Sequence, residues 1–375
     1  MLETILQNGN SRTEAQPTTA KLMNGCHAMG LGAIRAGCQY VAAYPITPQT
    51  EYLEYMSQAL PAIGGVFQQL NDEISSIMAC YGAAAAGAKA MTASVGPGLT
   101  LMIDGLANAA GAELPLVLGA MTRAHVGVSA GLLPAQSDIR MLKGGGNGDY
   151  HLPILAPASC QETAELTFAA FELAEKYRTP VVVVIDGFMA NMMEAVSFEP
   201  ETPAHEAWDW SVGHKKDALV YLSSYYTPDW DTATTYRLQE KYAVMREQET
   251  RFEAFMLDDA EFVIVAFGIM ARVAKQTIVA ARRRGIKVGL FRPITIFPFP
   301  EAELNQISKR VNSILVTEMN FGQILIDVKL AVNGACPVHF YGQPAMAIKP
   351  AQLFAKLEEI ISPSNGRGSE ILKAF

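Results

Sequence analysis

The chain has no C-x-x-C pair and no ferredoxin-like cysteine run; its five cysteines, Cys26, Cys38, Cys80, Cys160 and Cys336, stand apart in apolar segments. It therefore cannot ligate an iron–sulfur cluster alone, and an odd, scattered set fits buried free thiols in a reducing cytoplasm better than a disulfide framework. Charge is scarce too: 18% of the 375 residues are charged, the formal net charge is -8, and no Lys/Arg block occurs. That argues against a nucleic acid or an anionic membrane as partner. No long uncharged run exists, because the most apolar stretch, Tyr81 to Met121, is broken by Lys89, Asp104 and Glu113. No membrane span is expected. The six histidines, His27, His125, His151, His205, His214 and His339, show no H-E-x-x-H spacing, and there is no G-x-S-x-G elbow. Metallohydrolase and serine-hydrolase chemistry are thereby disfavoured.

What is present is apolar mass. Half of the residues are hydrophobic, and a chain of this length is expected to form about two or three units with a large core. So little charge on so large a body implies surface covered by partner subunits. Residues 1–20 are polar, lack the basic and apolar regions of a signal peptide, and read as a flexible arm. Short apolar runs then alternate with helical patterns. Tyr40–Tyr44, Lys89–Ser94, Pro115–Met121 and Val181–Asp186 read as strands, with helices over Asn24–Ala36 and Asp72–Gly87. The rhythm predicts a parallel α/β unit over 21–198. From 199 to 258 the character turns polar and aromatic, with His205, Trp208, Trp210 and a charged helical pattern over Tyr236–Phe255; this reads as a connector. A second α/β rhythm fills 259–375, with strands Phe262–Phe267, Lys287–Phe291 and Ser313–Thr317 alternating with helices Ala271–Arg284, Glu301–Lys309 and Gln323–Val332. No repeat at solenoid periods is present.

Tyr44-Pro45-Ile46-Thr47-Pro48 leaves the carboxyl end of its strand, where parallel α/β sheets bind ligands. Two prolines would fix the loop and let Thr47 present its hydroxyl and amide, although local chemistry alone favours an ordinary strand-to-helix turn. Glu73 opens a helix whose body, Ala79–Ala88, is small and apolar, so its carboxylate stands near the helix's positive end and the interior. Capping accounts for Asp72; for Glu73, capping and function weigh equally. Gly82–Lys89 resembles a phosphate loop, but Ala88 and Ala90 break the required spacing, and close helix packing is the better reading. Ser94-Val95-Gly96-Pro97-Gly98 and Lys143–Asp149 are further glycine loops that bring backbone amides close to something. Arg123 and Arg140 flank an apolar stretch holding Gln136 and Asp138. Surface ion pairing is their ordinary role, but an arginine beside a cleft can hold a substrate carboxylate with two hydrogen bonds.

Taken in order, these segments resemble the α subunit of the 2-oxoacid:ferredoxin oxidoreductases. The resemblance runs through Ala36-Gly37-Cys38, Tyr44–Pro48, Asp72-Glu73-Ile74, Gly87–Thr92, Gly96-Pro97-Gly98, Gln136-Ser137-Asp138, Lys143–Tyr150 and Leu155–Ser159. It continues in Phe267-Gly268, Arg292-Pro293-Ile294, Phe297-Pro298 and Glu318–Gln323, covering nearly the whole chain from Lys21. It implies a pyrimidine-type thiamine diphosphate-binding parallel-sheet domain followed by a transketolase C-terminal-like α/β domain. It also implies that Glu73 hydrogen-bonds the cofactor's aminopyrimidine ring, with Tyr44, Pro45, Ile46 and Gly96 around it. Thr47 and Arg123, with Gln136 and Arg140, would contact the substrate.

The chain carries no G-D-G…N motif for a Mg²⁺-bound diphosphate. The resemblance therefore assigns Mg²⁺ and the rest of the thiamine site to a β subunit and [4Fe–4S] clusters to a ferredoxin-like subunit. A gamma subunit and, with NAD as acceptor, a flavin subunit complete a dimer of hetero-oligomers in the cytoplasm. The implied reaction is oxidative decarboxylation of a 2-oxo acid to acyl-CoA and CO₂, with coenzyme A as co-substrate and electrons passed to ferredoxin or NAD. Lys143–Tyr150 looks most like the branched-chain, 2-oxoisovalerate type. The segment Arg123–Leu132 departs from that type, which leaves aromatic acids such as phenylglyoxylate open. A non-oxidative thiamine-dependent decarboxylase or transferase half, and a non-catalytic scaffold, are the alternatives; the Thr47 and Glu73 positions speak against the scaffold.

Overall fold

The computed structural model describes residues 20–124, 126–127, 133–205, 207–212 and 228–362. The expected arm, apart from Ala20, lies outside these residues, as do His125, His214 and Val128–Leu132. Strand β1 (Lys21–Asn24) leads into helix α1 (Gly25–Arg35), whose start is capped by the Asn24 side chain accepting from the His27 N–H. There follow β2 (Tyr40–Ala43), α2 (Thr50–Ala62), β3 (Val66–Gln69), α3 (Glu73–Ala85), β4 (Ala90–Val95), α4 (Pro97–Gly111) and β5 (Leu116–Thr122). Next come α5 (Ile139–Gly144), β6 (Ile154–Leu155), α6 (Cys160–Tyr177), β7 (Val181–Asp186), α7 (Gly187–Asn191) and β8 (Met193–Val196). The remainder runs α8 (Pro228–Gln248), β9 (Phe252–Phe255), β10 (Phe262–Val265), α9 (Gly268–Arg282), β11 (Val288–Pro293) and β12 (Thr295–Phe297). It ends with α10 (Glu301–Ser308), β13 (Ser313–Glu318), α11 (Leu325–Val332), β14 (Val338–Gly342) and α12 (Pro350–Ile361).

The first sheet has the order β12-β6-β7-β5-β4-β2-β3 and the second β14-β13-β10-β11-β9. Each is parallel except at one edge, where β12 runs antiparallel to β6 and β9 antiparallel to β11. Strands β4, β5 and β7 are buried at every position, which is why they read as unbroken apolar runs: helices cover both faces of a parallel sheet. Asp72 caps α3, its Oδ1 accepting from the Ser75 N–H at 2.6 Å, and frees Glu73 from that duty.

The helical pattern expected to reach Phe255 stops at Gln248, and Phe252–Phe255 is an edge strand. Its Phe252 ring stacks on Phe291 at 4.8 Å, and Glu253 pairs with Arg292 of the neighbouring strand. Tertiary packing there overrides a helix-compatible charge pattern. Strand β12 belongs by sequence to the second rhythm yet completes the first sheet, pairing Thr295 with Leu155. The units are clasped further by buried polar groups. Gln136 donates to the Phe267 carbonyl at 2.7 Å and accepts from the Met319 N–H at 3.1 Å. Asp186 accepts from the N–H groups of Phe188 and Met189 with one oxygen and of Ile269 with the other. Glu318 accepts from Asn320 Nδ2 and from three amides at the start of α11, while burial pushes its carboxyl up to about 7.

Candidate active-site crevice

Three adjacent strands, β2, β4 and β5, deliver three loops to one edge of the first sheet. Tyr44–Pro48 follows β2, Gly96 follows β4 and Arg123 follows β5. Carboxyl ends of parallel strands are where such sheets form ligand crevices. Arg123, only 8% exposed, donates from Nη1 to the Thr47 carbonyl at 2.8 Å. The spot a Cβ would occupy on Gly96 lies 3.8 Å from Arg123 Nε. Gly96 itself has φ +43, a conformation glycine adopts without strain, and it turns the chain into Pro97 at the head of α4. Thr47 is exposed and precedes a cis-proline, Pro48. Tyr44 and Pro45 are exposed and Ile46 half-buried. The loop is stapled down by Gln49, fully buried, which donates from Nε2 to the Ala93 carbonyl of β4 and accepts from the Ile46 N–H.

Glu73 is the first residue of α3 and is 5% exposed. Its carboxylate lies against Gly98 in the first turn of α4: a Cβ built there would stand 2.3 Å from Glu73 Oε1 and 2.1 Å from Ser94 Oγ. Burial raises the Glu73 carboxyl above its ordinary value; its own N–H opposes the shift and the neighbouring Asp72 adds to it. Ser94 Oγ is buried and without a hydrogen-bond partner. A buried carboxyl with a raised pKa and an unpartnered hydroxyl thus lie side by side. Ser94 stands out in the sequence only as the start of a glycine loop, and Gln49 not at all, because a serine in an apolar strand reads as filler and Gln49 hides among turn residues.

Gln136 and Arg140 are placed at the seam between the units. Both polar ends of the Gln136 side chain are engaged there, and Arg140 is exposed on α5 with its backbone N–H held by Gln323 Oε1. Asp138, by contrast, comes close enough to Arg123 for the guanidinium to oppose the burial that pushes its carboxyl up to about 6. Among the described residues no group of His, Cys, Asp and Glu is arranged to hold a metal ion, and no helix is long and apolar enough to cross a membrane.

The family model for the thiamine diphosphate-binding part of pyruvate flavodoxin/ferredoxin oxidoreductases matches residues 31–256, and that for pyruvate:ferredoxin oxidoreductase core domain II matches 260–347. The chain belongs to the 2-oxoacid:ferredoxin oxidoreductase family. Within this family it is 40% identical over 350 residues to ketoisovalerate oxidoreductase subunit VorB of Methanothermobacter marburgensis, covering 92% of this chain and 99% of that one. It is 35% identical over 321 residues to 2-oxoglutarate synthase subunit KorA of Archaeoglobus fulgidus, covering 82% and 90%. Among solved structures, the 2-oxoglutarate:ferredoxin oxidoreductase of Magnetococcus marinus, which holds 2-oxoglutarate, coenzyme A and succinyl-CoA, is similar with TM-score 0.82 and 25% identity over 94% of this chain and 67% of that one. A split-gene transketolase, 13% identical with TM-score 0.57, shares the fold. As a member of the family the chain is an oxidoreductase subunit with a thiamine diphosphate-binding domain followed by a transketolase C-terminal-like one. The crevice fits that cofactor: Glu73 offers a buried carboxyl beside the unpartnered Ser94 hydroxyl.

Proposed function

We propose that this chain supplies the Glu73 half of a thiamine diphosphate site in a CoA-acylating oxidoreductase acting on branched-chain 2-oxo acids. The observation that carries the reading is a buried Glu73 carboxyl against the first turn of α4, the helix that Gly96, next to Arg123, leads into, with Arg123 anchored on the Thr47 carbonyl. When bound, thiamine diphosphate supplies the electron sink for loss of CO₂. Glu73 would hydrogen-bond the aminopyrimidine ring, with its carboxyl raised above the ordinary value by burial. Tyr44, Pro45, Ile46 and Gly96 would wall that ring. Arg123 takes the substrate carboxylate, and the Thr47 carbonyl fixes the guanidinium so that little freedom is lost on binding. Thr47, exposed in the same loop, would offer its hydroxyl to the oxo group.

The branched-chain preference rests on the likeness to the ketoisovalerate subunit. The segment that left aromatic acids open, Arg123–Leu132, lies largely outside the described residues. The half-site calls for a β subunit bringing Mg²⁺ and the diphosphate-binding half, a ferredoxin-like subunit bringing [4Fe–4S] clusters, and a gamma subunit, in a reducing cytoplasm. Exposed Ile74 and Met78, one helical turn apart on α3, with Leu101 on α4, form an apolar surface next to Glu73 that suits the β subunit.

The test is acyl-CoA formation with viologen reduction by the co-purified complex, over a panel of 2-oxoisovalerate, phenylglyoxylate, pyruvate and 2-oxoglutarate. Turnover should be best with 2-oxoisovalerate and fall about 10²–10⁴-fold in Glu73→Gln. Undiminished turnover in that variant would overturn the role of Glu73. Decarboxylation without dye reduction would favour the non-oxidative reading.

A further inference from the structure

We infer that Ser94 is a positioning residue for Glu73: its hydroxyl donates to the Glu73 carboxylate and holds it in the orientation in which it meets the aminopyrimidine ring. The inference deepens, and rests on, the reading of Glu73 as the residue that hydrogen-bonds that ring. Ser94 stands near the end of β4, fully buried, and its Oγ has no hydrogen-bond partner. A buried hydroxyl without a partner is a cost that alanine in the same place would avoid. The two oxygens are neighbours: the point that a Cβ on Gly98 would occupy is 2.1 Å from Ser94 Oγ and 2.3 Å from Glu73 Oε1. They lie no further apart than the sum of those two distances.

The backbones are held on both sides, which leaves the side chains to move. Ser94 is paired with Ala120 of β5 in the parallel ladder. The head of α3 is fixed by Asp72, whose Oδ1 accepts from both the N–H and the hydroxyl of Ser75. A serine side chain finds a new partner by stepping between staggered wells, and its hydrogen turns to suit the acceptor. The longer Glu73 side chain closes the remaining gap. Gly98 keeps the way open, since any side chain there would press on both oxygens.

Thr92 provides the comparison within the same strand. It lies on the same face of β4 two residues earlier, is fully buried, and its Oγ1 is also without a partner. Two residues of a strand span about 6.6 Å, so Thr92 sits deeper in the sheet, away from the end at which β4 delivers Gly96. Of these two hydroxyls it is that of Ser94 which is placed against the carboxyl. Hydrogen bonds to an ionised carboxylate are stronger than those between neutral groups. A carboxylate fixed before the cofactor arrives also has less freedom to lose on binding. The consequence is tighter cofactor binding and faster turnover, with little effect on affinity for the 2-oxo acid.

The experiment takes the assembled complex stripped of thiamine diphosphate and measures the Kd of that cofactor, with Mg²⁺ present, by isothermal titration calorimetry. A double-mutant cycle over Ser94→Ala and Glu73→Ala isolates the coupling between the two side chains. Ser94→Ala should raise Kd about 3–10-fold in the wild-type background and less than about twofold in Glu73→Ala, where no carboxyl is left to hold. In the reloaded complex Ser94→Ala should lower kcat for 2-oxoisovalerate by about the same factor, with KM within about twofold. An unchanged Kd in Ser94→Ala, or an equal rise in both backgrounds, overturns the inference. The Tm of the purified chain should not fall in Ser94→Ala, because the free chain loses no hydrogen bond; a clear fall would show that the hydroxyl serves the fold instead. Thr92→Val should leave Kd unchanged, and a rise like that of Ser94→Ala would mean that the sheet face as a whole sets the affinity, against the inference. Glu73→Ala with the wild-type Kd and turnover removes the reading of Glu73, and this inference with it.

Discussion

A methyl group on Gly98 would stand 2.3 Å from Glu73 Oε1 and 2.1 Å from Ser94 Oγ, so the first turn of α4 closes directly onto the candidate carboxyl. Contacts that short force something to move, and the flexible end of Glu73 is what can yield. Gly98→Ala is expected to keep the fold, judged by circular dichroism, while lowering turnover by about 10²-fold through displacement of Glu73. Wild-type turnover in that variant would mean that the carboxyl tolerates a shift of its own position. At this scale the sequence was legible where a residue ends an apolar run: Thr47, Gly96 and Arg123 each follow a strand, and the structure brings all three to one edge. Asp138 was visible only as a companion of Arg123. Its isolation in a buried place comes from the fold of residues 133–138 against the second unit, which no local pattern encodes.

Strands β4, β5 and β7 could be read because a parallel strand buried on both faces is apolar throughout. Strand β3, with Val66, Gln68 and Gln69 exposed at the sheet edge, and the two-residue β6 carry no such signature. The seam was equally invisible, because Gln136 looks like a cleft residue until its partners, Phe267 and Met319, arrive from more than a hundred residues away. Gln136→Leu would strand a buried carbonyl and a buried N–H, each costing about 1–3 kcal/mol. The expected result is a clearly lower apparent Tm in a thermal scan, with KM for the 2-oxo acid nearly unchanged. A raised KM at unaltered Tm would instead put Gln136 at the substrate.

The charge content of 18% and the exposed apolar side chains of α3 and α4 meet at the scale of the whole molecule. The body of helix α3 is small and apolar, yet Ile74 is 52% and Met78 43% exposed in its first turns, and Leu101 of α4 is 46% exposed. Their position matters more than their number: α3 carries Glu73 at its head, so any protein that covers Ile74 and Met78 also closes the crevice over that carboxyl. A charge at each position costs the isolated chain little, about 0.5 kcal/mol or less, because both side chains point to solvent. In an assembled complex the same two charges would be desolvated without partners. Ile74→Asp combined with Met78→Asp should therefore leave the Tm of the purified chain unchanged, abolish co-elution with the β subunit on size-exclusion chromatography, and remove dye reduction. Co-elution at wild-type strength would place the β subunit on another face and leave this apolar surface without the role proposed for it.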